Sequence, residues 1–309
     1  MSILRIRATV LAMAAVALSG PARGAAPPAE VPRFGLFEAA LEHQGDHENP
    51  YWDVEAMAAI TGPGGKTIAV DLFWDGERTW RFRFSPPVLG SWRWRTASKD
   101  PGLDSKSGEF SCVKSDLRGG IRPKKAHPFH FEREDGKPYW LFGDTNWSLF
   151  GADPAKNFTR ASFEQYVKLR ARQKFNFVEG ILTSPPAGNE GGSLFVDDKQ
   201  RSVNPDFFRE VDKRMVTLNR QGLTAMIFLS WSNPQAYIFS WRHFADAEAR
   251  RRYARYVIAR YGAFNVCFGV TGEWNGEKHL LGEFEAIGRL LAERNPSLPG
   301  PAGTGVRQR

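Results

Sequence analysis

Cysteine is nearly absent: Cys112 and Cys267 are the only two in the chain. They fall in separate strand-like apolar segments, in neither a CxxC nor a Cys/His spacing. The pattern reads as two buried thiols rather than a disulfide, with no zinc site and no cofactor called for. Charge of one sign is missing too. Basic residues are scattered, with short clusters only at Arg122-Lys124-Lys125 and Arg250-Arg251-Arg252. Nothing forms the basic face of a nucleic-acid binder, so a solvated surface is the reading. Long apolar runs are lacking as well. The stretch from about Ala8 to Leu18 is shorter than the roughly 20 residues that cross a bilayer.

That stretch follows Arg5 and Arg7 and precedes Ala22-Arg23-Gly24-Ala25, the layout of a secretory signal with small residues before the cut. The expected product starts near Ala25, is secreted or periplasmic, and carries no integral membrane segment. Residues 1–24 hold Arg5, Arg7 and Arg23 and no acid, so the formal +8 falls to +5. Ala25 to Pro32 reads as a Pro-rich, disordered leader.

Aromatic residues are abundant at 13%, with ten Trp. Indoles stack on the flat C–H faces of sugars, and a large core uses the same residues. From Arg33 to Val113 short alternating segments are separated by turns: Arg33–Leu41, Val54–Thr61, Lys66–Trp74, Thr79–Phe84, Gly90–Thr96 and Gly108–Val113. This predicts an antiparallel, Ig-like β-sandwich over residues 31–114. After a linker at about Ser115–Lys125 the rhythm becomes strand–helix alternation. Strand-like runs Tyr139–Phe142, Phe175–Leu182, Leu223–Trp231 and Asn265–Val270 enclose helical stretches Arg160–Gln173, Pro205–Gln221 and Ala245–Tyr261, and Leu280–Arg294 follows. About four βα units over residues 123–309 predict part of a (β/α)8 TIM-type barrel, whose C-terminal strand ends carry the chemistry. No GxGxxG follows any strand, which argues against a doubly wound dinucleotide fold.

Four strand ends carry candidate residues. Asp144, Asn146 and Trp147 could bond sugar hydroxyls and stack a ring; alternatively Asp144 caps the turn and Trp147 packs in the barrel top. Asn189 and Glu190 lie in a long loop that is either a substrate wall or a surface excursion. Trp231, with Ser232 and Asn233, is a stacking candidate. Glu273, in Val270-Thr271-Gly272-Glu273-Trp274-Asn275, is the candidate general acid/base, with Trp274 supplying the apolar surroundings that such an acid needs. The competing reading is an exposed loop Glu. Glu277 and His279 read as solvated or helix-starting residues. His43, Asp46 and His47 read as a polar loop rather than metal ligands.

Asn49-Pro50-Tyr51, Phe73-Trp74-Asp75-Gly76, Phe84-Ser85-Pro86, Gly90-Ser91-Trp92 and Ser107-Gly108-Glu109-Phe110 resemble the β-sandwich domain of unknown function that precedes apiosidase-like glycoside hydrolases. Gly143-Asp144-Thr145-Asn146-Trp147, Asn204-Pro205-Asp206-Phe207-Phe208, Tyr253–Tyr261 and Gly272-Glu273 are similar to the apiosidase-like barrel that follows it. The resemblance reaches about Pro296. It implies a retaining glycosidase acting on side chains of plant or microbial polysaccharides, with an oligo- or polysaccharide as partner and the fourth-strand acid at Glu273. The family often has Gly-Gly before that acid, where this chain has Thr271-Gly272.

The family's second carboxylate comes from a late strand, and no segment here matches it. An eight-unit barrel takes about 250 residues; about 185 follow Lys125, ending in the Pro/Gly-rich Ser297–Arg309. The expectation is a C-terminally truncated or frameshifted product lacking the nucleophile and inactive for that reason. A non-catalytic carbohydrate-binding or scaffold protein built on the aromatic sandwich is the alternative, and the sequence leaves the oligomeric state open.

Overall fold

The computed structural model describes residues 29–153, 158–183, 188–232 and 240–295. The expected signal, Asn233 and the segment after Asn295 lie outside the described residues. The first layer pair is built from β1 (Ala29–Pro32), β2 (Phe37–Glu42), a short helix α1 (Pro50–Asp53), β3 (Ala56–Thr61), β4 (Thr67–Asp71), β5 (Phe73–Trp74), β6 (Thr79–Phe84), β7 (Gly90–Ser98) and β8 (Ser107–Val113). They form a five-stranded sheet in the order β1-β8-β7-β3-β4 and a three-stranded sheet in the order β2-β6-β5. Alternation drives the packing: in β7, Trp92 and Thr96 are buried while Arg93 and Arg95 face water. Phe82, Phe84, Trp80, Trp92, Ile60 and Phe110 meet between the sheets as a dry core.

Two expectations need correction here. Ala29–Pro32 is not part of a disordered leader, because it pairs parallel with β8 from Phe110 to Val113. Val31 on that strand is buried, and burial plus ladder bonding outweigh its Pro-rich composition. The expected linker is partly sheet as well: β9 (Ile121–Lys124), β10 (His127–Arg133) and β11 (Pro138–Tyr139) form a separate antiparallel sheet.

An α/β region follows, with β12 (Gly143–Thr145), α2 (Arg160–Arg172), β13 (Phe177–Ile181), β14 (Gly188–Asn189), β15 (Gly192–Ser193), α3 (Pro205–Arg220), β16 (Thr224–Phe228), α4 (Ala247–Tyr261), β17 (Val266–Gly269) and α5 (Leu281–Arg294). The strands β12-β13-β16-β17 form one parallel sheet in chain order. The helices start where the sequence caps them. Thr159 and Ser162 form a reciprocal box at α2, and Asn204 and Asp246 accept the N–H groups of Asp206 and Ala249. Val178, Ala225, Ile227 and Val266 pack with Phe163, Val211, Met215, Val257 and Ile287 of the helices. The opposite sheet face carries Thr145, Glu179, Met226, Phe228 and Cys267, none of them fully buried. Both cysteines are free thiols.

The first expected strand of this region is displaced. Tyr139–Phe142 does not enter the parallel sheet; Gly143–Thr145 does, in register with Phe177–Glu179. Leu141 and Phe142 are exposed, so the apolar run that marked the strand is not its core.

The two regions are joined by buried charge. Arg260 donates to Asp75 Oδ1 (2.9 Å) and Asp212 Oδ2 (2.7 Å), while Arg83 donates to Asp212 (2.8 Å), to Glu38 (2.7 Å) and to the carbonyl of Arg260 (2.9 Å). The sandwich thus docks on the helical side of the parallel sheet. Among the described residues no helix is long and apolar enough to cross a membrane.

Candidate active site

Every chemistry-bearing loop of the parallel sheet leaves at the C-terminal strand ends, so residues distant in sequence converge there. β16 ends in Leu229-Ser230-Trp231-Ser232, and β17 ends in Val270-Thr271-Gly272-Glu273. These loops are tied together: Ser232 N–H donates to Gly272 O at 3.2 Å, and the hydroxyls of Ser232 and Thr271 lie 2.8 Å apart. The outer rim of the Trp231 six-membered ring closes on Gly272. A Cβ at that position would meet ring carbons at 2.0–2.4 Å, so only glycine admits the indole.

Trp231 Nε1–H then donates to Glu273 Oε2 at 3.2 Å. Glu273 has φ 48° and ψ 36°, the left-handed region that non-glycine residues enter at a cost. The carboxylate stands exposed at the sheet's end. Trp147, which follows β12, packs on Trp231 with ring centroids 4.9 Å apart at 58°, and Phe228 meets the same indole edge-on at 5.1 Å. Trp147 and Trp274 keep 45% and 46% exposure, leaving apolar ring surface toward solvent beside the carboxylate. Asn146 sits at the same end. Its N–H donates to Glu179 O, and its carbonyl accepts from Leu149 N–H.

Asp144 is not in this group. It lies within β12, opposite Val178, and alternation turns its side chain toward α2. Tyr166 Oη donates to its Oδ2 at 2.7 Å and Arg170 Nε at 2.5 Å. Burial pushes its carboxyl up, and the bonds from Tyr166 and Arg170 outweigh that and hold it below the usual range. Asn189 is likewise spent internally. Its Nδ2 donates to Phe150 O and Phe207 O, and its Oδ1 accepts from Gly191 N–H. Glu190 accepts from Arg160 N–H and from Arg214 Nη2, each at 2.6 Å.

One carboxylate is missing from the sequence reading and another is misplaced by it. Glu179, on the open face of β13, accepts from Thr145 Oγ1 at 2.8 Å; only the strand register reveals its facing. Glu277 is not solvated: it is 1% exposed and accepts from Ser240 Oγ at 2.7 Å. The turn Trp274–Leu280 folds back after Glu273, and Trp241 Nε1–H donates to Val270 O at 3.1 Å. Together these contacts brace the loop that carries Glu273. In the polar loop near the N-terminus, His43 accepts from Trp80 Nε1, and His47 pairs with Asp100. Among the described residues no group of three metal-binding side chains occurs. A cleft of about 1120 Å³ lies at the other end of the strands, lined by Phe34, Trp140, Asn176 and Asn265 among others, and holds none of the expected site residues.

The site is thus an exposed carboxylate flanked by indoles at the C-terminal ends of parallel strands, behind an N-terminal sandwich. Comparison with known proteins gives the same division. Residues 30–99 match a domain of unknown function, DUF5060, and residues 126–299, more than half of the chain, match the apiosidase-like catalytic domain. The chain belongs to the apiosidase-like family and is glycoside hydrolase-like.

Among solved structures, a protein from Bacteroides vulgatus described as a putative glycoside hydrolase is similar at 22% identity and a TM-score of 0.73, over 87% of this chain and 54% of its own. This chain therefore spans about half that protein's length, and the likeness is one of fold. A family 5 glycoside hydrolase from the same organism aligns at 13% identity and a TM-score of 0.47, over 59% of this chain and 38% of its own. A family 5 mannosidase from Rhizomucor miehei aligns at 16% and 0.43, over 62% and 57%. No curated protein matches the chain.

Proposed function

We propose that this chain is an exported, carbohydrate-active protein in which β12 to β17 form the opening half of a (β/α)8 barrel and Glu273 is the general acid/base. The observation that carries the reading is the Trp231–Glu273 hydrogen bond at the strand ends, with Trp147 packed on the same indole. The exposed faces of Trp147 and Trp274 would stack on the C–H face of a sugar, and Asn146 would bond its hydroxyls. Glu273 would give its proton to the glycosidic oxygen as the bond from that oxygen to the anomeric carbon breaks, and would then take a proton from the incoming water. The substrate class is the oligosaccharide side chains of plant or microbial polysaccharides.

Asp144, Asn189 and Glu190 have internal partners, so they serve the frame around the site. The alternative, a binding protein working through the aromatic sandwich, is disfavoured because Trp80 and Trp92 are buried in the sandwich core. A retaining glycosidase uses two carboxylates about 5 Å apart across the bond. Glu273 is the one of that pair assigned here, as the acid/base.

The test is hydrolysis of aryl glycosides and polysaccharide side chains by the purified chain and by Glu273→Gln. The reading requires any cleavage to fall at least about 100-fold in the variant, the usual scale of acid/base assistance. An unchanged rate would remove Glu273 from the mechanism.

A further inference from the structure

Glu277 follows Glu273 on the same loop, and the proposed chemistry gives it no task. Its side chain is 1% exposed, and a buried carboxylate is costly unless it is paired and fully hydrogen-bonded. The pairing here is thin. Oε1 accepts from Ser240 Oγ at 2.7 Å, Arg242 Nε stays 3.8 Å from the same oxygen, and Oε2 accepts no hydrogen bond among the described residues. An apolar side chain of that size would be cheaper to bury, so stability alone does not account for a carboxylate at this place.

The backbone of Glu273 supplies the missing reason. A non-glycine residue at φ 48° and ψ 36° stays there only where its neighbours over-determine the chain. Ahead of it, Ser232 ties the loop after β16 to Thr271 and Gly272 of the loop after β17. Behind it, Gly276 N–H donates to Glu273 O at 2.8 Å, and the turn Trp274–Leu280 then breaks at Glu277, whose φ of −134° and ψ of 47° are not helical. At that break the Glu277 carboxylate takes the hydroxyl of Ser240, a fully buried residue of the β16 loop. Ser240 is itself fixed, because its N–H donates to His243 Nδ1 at 2.9 Å and the next residue, Trp241, donates to Val270 O. The two loops are therefore tied twice, at Thr271 and at Glu277, with Glu273 between the ties.

We infer that Glu277 is a positioning residue for Glu273: through Ser240 it closes the loop after β17 into the backbone shape that sets the Glu273 carboxylate on Trp231 Nε1–H. The inference rests on the reading of Glu273 as the acid/base and adds the residue that holds it in place. A carboxylate suits the task where an apolar side chain would not, since a hydrogen bond to the neighbouring loop fixes both distance and direction. Glu277→Ala removes the acceptor and strands the Ser240 hydroxyl. Ser240→Ala cuts the same tie from the other side, and Glu277→Gln keeps Oε1 as the acceptor and so keeps the tie.

The experiment is nitrogen–proton NMR of the indole N–H groups in the purified chain and in these three variants. The Trp231 resonance is identified by its loss in Trp231→Phe, and Glu273→Ala marks where it moves once its acceptor is gone. The expected result is that Glu277→Ala and Ser240→Ala each carry the Trp231 resonance most of the way to that mark, while Glu277→Gln leaves it at the parent position. The indoles of Trp80 and Trp92, which donate to His43 and to Val88 O inside the sandwich, should stay in place and show that the fold stands. If Glu277→Ala does not fold, Ser240→Ala decides alone. A Trp231 resonance unmoved by the loss of Ser240 Oγ overturns the inference, and so does a Gln variant displaced as far as the Ala variant. The readout needs no turnover. A tie that behaves as expected in a chain whose Glu273→Gln cleaves as fast as the parent would keep the positioning and sink the acid/base reading; an unmoved resonance in a chain that needs Glu273 for cleavage would do the reverse.

Discussion

Gly272 decides where the indole of Trp231 can lie, and Trp231 in turn decides where the carboxylate of Glu273 is held. Gly272→Ala is expected to push the indole off its seat at a cost of about 1–3 kcal/mol. The effect should show as a changed near-ultraviolet circular dichroism signal in a chain that still folds. A spectrum identical to the parent's would mean the indole is not seated on the glycine. Asp144→Asn keeps the shape but weakens the ion pair to Arg170. Because that carboxylate is partly exposed, the expected loss is about 1 kcal/mol in urea unfolding, with sugar binding unchanged. Loss of binding without loss of stability would return Asp144 to the site.

At this scale the sequence was legible only in part. Glu273, Trp231 and Trp147 follow their strands, and the motif spacing shows that. Asp144 misleads because the strand starts four residues later than the apolar run suggests, and such a shift moves a residue from loop to strand interior. Glu277 misleads because its burial depends on Ser240, 37 residues away.

At the level of elements, helices are the best-read feature. α2, α3, α4 and α5 lie within two residues of the expected spans because Thr159, Asn204 and Asp246 cap three of them visibly. What no local pattern shows is how the sandwich meets the helices through Asp212. Burial raises this carboxyl, but Arg260 and Arg83 more than offset that and hold it at about 2. The ordinary value is near 4, so the folded state releases this proton more readily than the unfolded chain. The stabilisation is complete above the ordinary range and is lost as pH falls from about 4 through about 2. Asp212→Asn is expected to cost about 3–5 kcal/mol at neutral pH by leaving buried guanidinium groups underpaired. In urea unfolding the gap between parent and variant should shrink on acidification across that window. A gap constant with pH would contradict the ion-pair account.

Across the whole molecule, the division into a sandwich and a parallel α/β region was legible because hydrophobic periodicity changes after residue 125. The β9–β11 sheet was not, since its strands are short and largely exposed. Aromatic content is shared between two jobs: in the sandwich it fills a core, and at the C-terminal strand ends it leaves ring faces open. Sugar binding at those strand ends is tested by calorimetric titration of the purified chain with a panel of plant and microbial oligosaccharides, run alongside Trp147→Ala and Trp231→Ala. The best ligand of the parent is expected to bind each variant about tenfold more weakly, the loss of roughly one stacking contact, while the unfolding of the sandwich is unchanged. Binding of equal strength by both variants, or no binding of any sugar by the parent, would contradict it.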